Sequence, residues 1–256
     1  MSDHKLLDGK VAIVAGASRG IGAASARAFA EAGATVVLAA RTQSAIAPIA
    51  EEINRGGGKA LAVPTDVTDP ESVARLVEET VKAFGRLDVA FNNAGAGHMP
   101  KPLADISFED FEAGLKSNLY GAFLGMKYEV PAMLAGGGGA IVNMSSTAGL
   151  QGAPGMGPYS AGKHGVVALT KVAALDSGKR NIRVNAIAPG PIVNEQMSRL
   201  PEERLKEIAR FIPMGRTGQV DEVARAVVWL CSDEASFITG AVLSIDGGRL
   251  AGGAGI

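Results

Sequence analysis

The chain has 256 residues, 25 basic and 26 acidic side chains, and a formal net charge of −1. That balance argues against a nucleic-acid or membrane-surface protein, which carries a basic patch, and the single Cys231 excludes an intrachain disulfide framework and a cysteine-based zinc cluster. The 34 glycines, about twice the average share, follow no period of three and are not collagen-like.

Short apolar runs alternate with helix-length segments. Residues 10–16, KVAIVAG, are short and β-branched and read as a buried strand. Residues 20–33 are Ala-rich, with Ile21, Ala24, Ala28 and Phe29 at helical spacing and Gly33 as the stop. A strand over 34–40 follows, then a helix over 44–55 stopped by Gly56-Gly57-Gly58. Residues 59–67 hold a third strand that ends near Pro64, and Asp69-Pro70 opens a helix to Phe84 with an N-cap and a first-turn proline. A fourth strand covers 87–93. Helical pattern runs from Ser107, whose Ser-x-x-Asp110 resembles a capping box, to Leu134. A turn at 136–139, a strand over 140–146, a helix over 158–178 and a sixth strand over 181–188 come next. Helices over 201–211 and 220–231 precede a last strand over 241–246. Strands alternating with helices predict a single α/β domain over 1–256, with seven mostly parallel strands in a doubly wound sheet flanked by helices on both faces. No apolar run reaches the roughly 18 residues of a membrane span, and no apolar secretory segment opens the sequence. A soluble cytoplasmic protein is expected.

Gly16-Ala17-Ser18-Arg19-Gly20-Ile21-Gly22 lies between the first strand and the first helix. Glycines there allow a tight turn, close approach of the backbone to a pyrophosphate, and helix-on-strand packing. The helix N-terminus then offers free N–H groups and a positive dipole end to phosphates. This is a dinucleotide loop, not one of the GK[ST] kind. An acid that bonds a ribose 2′-OH would stand about 20 residues on, at the end of the second strand. That place reads Leu38-Ala39-Ala40-Arg41-Thr42, with no carboxylate. Arg41, with Arg19 in the loop, suits a 2′-phosphate through bidentate bonds. NADP(H) is therefore expected, with NAD(H) as the other possibility.

At this point the sequence resembles the short-chain dehydrogenase/reductase family along essentially its whole length. Gly16-x-x-x-Gly20-x-Gly22 looks like that family's cofactor loop. Asp66 in TDV matches the acid that meets the adenine ring, with Val67 beside it. Asn93, Ala94 and Gly95 belong to an NNAG segment after the fourth strand. Pro189-Gly190, with Ile192 beyond, matches the turn after the sixth strand. Asn118 in SNLYG, Ser146 in IVNMSS, and Tyr159 and Lys163 in YSAGK resemble the catalytic Asn, Ser, Tyr and Lys. The resemblance implies a Rossmann-type fold, a nicotinamide cofactor and a homotetramer or dimer, with helices over 107–134 and 158–178 as interface candidates. Two positions depart. Ala15 replaces a common Thr, and Asn194 stands where many members carry a Thr that bonds the nicotinamide carboxamide.

Tyr159 and Lys163 are i and i+4 on one helix, so they share a face. A free tyrosine has a pKa near 10; an adjacent ammonium, with the positive charge of the oxidised nicotinamide, lowers it and makes Tyr159 an acid or base for a carbonyl or alcohol. Family resemblance adds that Lys163 bonds the nicotinamide ribose and that Asn118 supports a proton-relay water. Ser146, at a strand's C-terminal end, holds the substrate oxygen, and Ser145 is its misassignment risk. His98 and His164 tempt as bases, but a lone His is more often structural. No metal-ligand cluster is present, so no metal is expected.

Residues 191–213 read as a mobile lid. Gln151 and Met156 are expected on one pocket wall, His98-Met99-Pro100 on another. These walls are mostly apolar and lack an arginine clamp, which implies an apolar ketone or secondary alcohol. The alternatives are a 3-oxoacyl-thioester reductase, favoured by Lys101, and a non-catalytic dinucleotide-binding sensor or scaffold, opposed by the intact catalytic set. A sugar-nucleotide epimerase needs a larger C-terminal substrate domain.

Overall fold

The computed structural model describes residues 5–195 and 197–252. Its strands are β1 (Val11–Ala15), β2 (Thr35–Ala40), β3 (Lys59–Pro64), β4 (Val89–Asn92), β5 (Gly139–Met144), β6 (Ile182–Pro189), β7 (Ile192–Val193), β8 (Gly218–Gln219) and β9 (Val242–Ile245). The helices are α1 (Gly20–Glu31), α2 (Gln43–Arg55), α3 (Pro70–Phe84), α4 (Phe108–Leu115), α5 (Gly121–Ala135), α6 (Gly157–Ser177), α7 (Glu202–Ala209) and α8 (Val220–Cys231). Seven strands form one sheet in the order β3-β2-β1-β4-β5-β6-β9, and every pairing in it is parallel. This is the predicted Rossmann-type single domain.

Alternation along each strand sends side chains to two faces. Ala12 and Val14 join Phe29 of α1, Ile46 and Ile53 of α2 and Val223 and Val227 of α8 in one core. Ile13, Val37 and Ile141 join Leu76 and Val77 of α3, Met126 and Met133 of α5 and Ala174 of α6 in the other. Both faces being covered explains why the strands read as continuous apolar runs. The chain crosses the sheet between β1 and β4, which are neighbours. A crevice at that switch point, at the strands' C-terminal ends, is where such folds take ligands.

Local chemistry sets the boundaries. Asp69 caps α3 by accepting from the Glu71 amide at 3.1 Å, as predicted. Ser107 accepts from the Asp110 amide at 3.1 Å, while the Asp110 carboxylate turns to Lys101 at 3.6 Å. The third strand stops at Pro64, as predicted. There Asp66 forms a turn, its Oδ1 taking the Thr68 amide at 2.9 Å and hydroxyl at 2.8 Å.

The predicted helix over 107–134 is not continuous: residues 116–120 form a π-helical turn between α4 and α5. A widened turn frees carbonyls from the i−4 ladder. Side chains replace the missing donors, and the Gly114 oxygen takes Ser117 Oγ at 3.1 Å and Asn118 Nδ2 at 3.0 Å. The lid region also carries structure that the sequence reading did not anticipate. Ile192–Val193 pair in parallel with Gly218–Gln219. No described helix is long and apolar enough to cross a membrane. Of the tail glycines, Gly253 and Gly255 lie outside the described residues.

Candidate active site

The glycine loop follows β1 directly. Gly16 has a φ of +74°, and a Cβ there would lie 2.8 Å from Asn93 Nδ2 and 2.9 Å from the Ala94 Cα. A Cβ on Gly22 would run into the Gly16 carbonyl. Asn93 Nδ2 donates to the main-chain oxygens of Ala15 and Gly16, both at 3.1 Å. Asn93 thus clamps the loop, and Ala94 and Gly95 continue beside it. Ser18 and Ile21 are half-buried in the same turn, and Arg19, the residue before α1, is exposed.

The loop's residues fit an anionic dinucleotide. Side chains are missing where a backbone cradle is needed, and the Gly20 amide at the start of α1 already holds an anion. It donates to Glu195 Oε1 at 3.3 Å. Asn194 lies beside it, its Cβ 3.7 Å from where a Gly20 Cβ would stand. The 191–213 segment therefore reaches the loop, a contact that spacing alone does not reveal.

Arg41 is exposed just beyond β2. It lies near Asp66, whose carboxyl is held below its ordinary value first by the Thr68 amide and hydroxyl, then by the Arg41 charge. Val67 packs against α5, its Cγ2 3.0 Å from where a Gly121 Cβ would stand. Pro189 ends β6 and is buried; Gly190 packs against Asp246, whose Cβ lies 2.9 Å from the site of a Gly190 Cβ. Ile192 is buried in β7.

The four residues expected to carry chemistry converge at the C-terminal ends of β4 and β5. Lys163 is buried and donates from Nζ to the Met144 oxygen at 2.8 Å. Its Nζ is 5.7 Å from the Tyr159 ring centroid. The Ser146 side chain stands next to the Tyr159 hydroxyl and favours its phenolate. Ser146 caps a short turn, accepting from the Ala148 amide at 3.2 Å. Ser145 is buried and donates to the Lys163 carbonyl at 3.0 Å, so it braces α6 while Ser146 faces Tyr159.

Asn118 is buried beside this group, and both polar ends of its side chain bond the main chain of Ala96. Its Nδ2 donates to Ala96 O at 2.8 Å and its Oδ1 accepts from Ala96 N at 3.2 Å. The side chain thus pins the segment after Gly95. A Cβ on Gly95 would lie 2.9 Å from Asn118 Oδ1 and 3.1 Å from Lys163 Nζ. Of the wall residues, Gln151 is exposed and Met156 half-buried just before α6. His164 is exposed, with Nδ1 2.9 Å from the Ser160 carbonyl, off the Tyr159–Lys163 face.

Burial dominates the protonation chemistry. It lowers Lys163 to about 8. It also pushes Tyr159 up from its ordinary value, against the opposing influence of Ser146. Within the protein itself, desolvation penalises the phenolate more strongly than Ser146 favours it.

Beneath the site runs a buried polar ladder. Asn92 Nδ2 donates to Glu129 Oε2 at 3.0 Å and to Asn143 Oδ1 at 3.1 Å; Asn143 Nδ2 donates to Thr170 Oγ1 at 3.0 Å. Desolvation raises Glu129 to about 7. A carboxylate in the apolar stretch 121–135 was the available signal for it.

A glycine cradle at the switch point and a Ser–Tyr–Lys group at the strand ends define a dinucleotide-dependent oxidoreductase. The comparisons agree. A family model described as enoyl-(acyl carrier protein) reductase matches residues 16–249. The chain is 43% identical to the A-factor type gamma-butyrolactone 1'-reductase (1S-forming) of Streptomyces virginiae, over 97% of this chain and 98% of that one. It is 42% identical to the cyclohexanol dehydrogenase of Acinetobacter sp. (strain SE19), over 93% and 94%. It superposes with a TM-score of 0.91 on 7α-hydroxysteroid dehydrogenase complexed with NADH and 7-oxo glycochenodeoxycholic acid, at 35% identity over 97% of each chain. The chain belongs to the short-chain dehydrogenase/reductase family, oxidoreductases that work with a nicotinamide dinucleotide on alcohol and carbonyl groups.

Proposed function

We propose that this protein reduces a ketone, or oxidises the matching secondary alcohol, of a largely apolar substrate with NADP(H), using Tyr159 as the acid or base. The observation that carries the reading is the convergence of Ser146, the Tyr159 hydroxyl and the buried ammonium of Lys163, whose Nζ lies 5.7 Å from the Tyr159 ring centroid. In reduction, Ser146 Oγ and Tyr159 Oη hold the carbonyl oxygen, and the Tyr159 proton passes to it. The phenolate left behind sits next to Lys163, where two charges that burial disfavours singly offset each other. In oxidation the proton runs back from the alcohol to Tyr159. The bound nicotinamide supplies or accepts the hydride. Gly16, Ser18, Gly20, Ile21, Gly22 and Asn93–Gly95 would hold its pyrophosphate side. Asp66 and Val67 would meet the adenine, and Lys163, Pro189, Gly190 and Ile192 the nicotinamide end. Gln151 and Met156 would touch the substrate.

Exposed Arg19 and Arg41, with no acid closing β2, support NADP(H) over NAD(H). The relatives' named substrates, a γ-butyrolactone and cyclohexanol, support a cyclic ketone or alcohol. Lys101, the residue that favours an acyl-thioester substrate, faces Asp110 at 3.6 Å, so its charge is partly answered. A homotetramer is supported by apolar side chains left exposed on three helices: Phe108, Phe123, Val172 and Leu175. A buried, free Cys231 suits a reducing, cytoplasmic setting. The testing experiment is a panel of cyclic and open-chain ketones and secondary alcohols, assayed with NADPH, NADH and their oxidised forms. Turnover with NADPH in excess of NADH supports the reading; no nicotinamide-linked turnover of any member overturns it.

A further inference from the structure

Glu129 is a buried carboxyl that the proton transfer at Tyr159 does not use. It lies on α5 and is 2% exposed. An ionised carboxylate has room for about four hydrogen bonds. Glu129 takes one, from the neutral amide of Asn92 at 3.0 Å. Of the elements packed against α5, β4 and β5 carry no ionisable side chain. Glu71, Arg75, Glu78, Glu79 and Lys82 of α3, Lys116 of the π-helical turn, and His164, Lys171 and Asp176 of α6 are exposed. Lys163 of α6 turns to the Met144 oxygen, Arg183 of β6 to the oxygens of Leu230 and Ser232, and Tyr159 to Ser146. Lys127 and Tyr128 precede Glu129 on its own helix. None of these groups is among the influences on Glu129, which are burial and Asn92.

Asn92 joins this carboxyl to the glycine loop. It ends β4, and the next residue, Asn93, clamps the loop through the oxygens of Ala15 and Gly16, both at 3.1 Å. The two hydrogens of the Asn92 amide are committed, one to Glu129 and one to Asn143 Oδ1 at 3.1 Å. Those of Asn143 go to Thr170 Oγ1 at 3.0 Å and to Met126 Sδ at 3.3 Å. The Thr170 hydroxyl donates to the Val166 oxygen at 2.8 Å. A charge that develops on Glu129 therefore finds no further donor in the ladder. Nor can α5 shift toward Asn92: a Cβ on Gly125 would run into that amide. A dinucleotide on the loop brings its own negative charge to the same packed unit, with protein rather than water between the two.

We propose that Glu129 links cofactor binding to proton uptake: the dinucleotide binds more tightly when the Glu129 carboxyl is protonated, and once bound it holds that proton in place. Glu129 acts from beneath the loop, without touching the cofactor. Burial places its titration at about 7. Below that value the carboxyl is neutral and opposes nothing; above it the charge appears and affinity falls. Linkage makes the effect reciprocal. The inference rests on the oxidoreductase reading above and adds a control on its cofactor site.

The test measures NADH and NADPH binding by fluorescence titration, from about pH 6 to about pH 8.5, on wild type and Glu129→Gln. NADH lacks the phosphate monoester whose own titration, near pH 6, complicates NADPH. Lys163, at about 8, loses charge in both proteins, so the comparison between them carries the result. Wild-type affinity is expected to fall about fivefold more over this range than that of Glu129→Gln. Calorimetry near pH 7, in two buffers of different ionisation enthalpy, should show wild type taking up protons on binding and the variant taking up fewer. Equal pH dependence and equal uptake in the two proteins overturn the inference alone. Should Glu129→Gln fail to fold, absence of uptake by wild type near pH 7 overturns it. Binding of neither dinucleotide overturns the oxidoreductase reading, and the inference with it.

Discussion

Lys163 Nζ donates to the main-chain oxygen of Met144 at 2.8 Å, which ties α6 to the end of the strand that delivers Ser146. The ammonium is therefore a fixed charge beside Tyr159. Reduction requires Tyr159 protonated, so kcat/KM for a ketone should be level at low pH and fall as pH rises through the tyrosine's value. Oxidation should show the mirror image. Lys163→Met removes the charge that supports the phenolate. The pH limb should then move upward by about one unit or more, and kcat should drop. Steady-state profiles from about pH 6 to about pH 10 check this, and an unmoved limb would remove Lys163 from the proton step.

Glu129 is buried against Asn92, and burial raises it from 4.5 to about 7. Its folded value lies above the unfolded one. The stability it contributes is full below about 4.5 and is lost as pH rises through about 7. Glu129→Gln can still accept from Asn92 but does not ionise. Its melting temperature should exceed wild type by about 5 °C near pH 8, with the gap narrowing near pH 5. Thermal denaturation at both pH values decides it, and an equal gap at each would contradict the raised value.

Arg41 lies beyond β2, near Asp66. Arg41→Asp should weaken NADPH binding about tenfold more than NADH binding. Fluorescence titration with each cofactor measures the difference. Equal losses would reject a 2′-phosphate role.

Glu195 occupies the Gly20 amide with a carboxylate oxygen, at the place that an anionic dinucleotide requires. Glu195→Gln keeps a weaker acceptor and removes the competing charge. Cofactor affinity should rise about threefold or more at low salt, and less at high salt. Unchanged affinity in a titration at both salt levels would show that Glu195 does not compete.

These residues also mark how far the sequence could be read. Gly16, Gly22, Asn93, Ser146, Tyr159 and Lys163 were legible because each belongs to a short motif at the end of an element with a clear period. So was the sheet, since its strands are buried on both faces and read as unbroken apolar runs. The π-helical turn at 116–120 was not legible. It depends on Asn118 reaching Ala96, 22 residues away in sequence. Nor was Glu195 on Gly20, separated by 175 residues. Nor was the depth at which Tyr159 is buried legible: its neighbours in sequence announce the ammonium, but burial is a property of the folded chain.

The most direct test of the account is Tyr159→Phe, which deletes one hydroxyl and keeps the ring. Ketone reduction with NADPH should fall about 100-fold or more, while NADPH binding, measured by fluorescence titration, stays close to wild type. Turnover at the wild-type rate would contradict the assignment of Tyr159 as the proton donor.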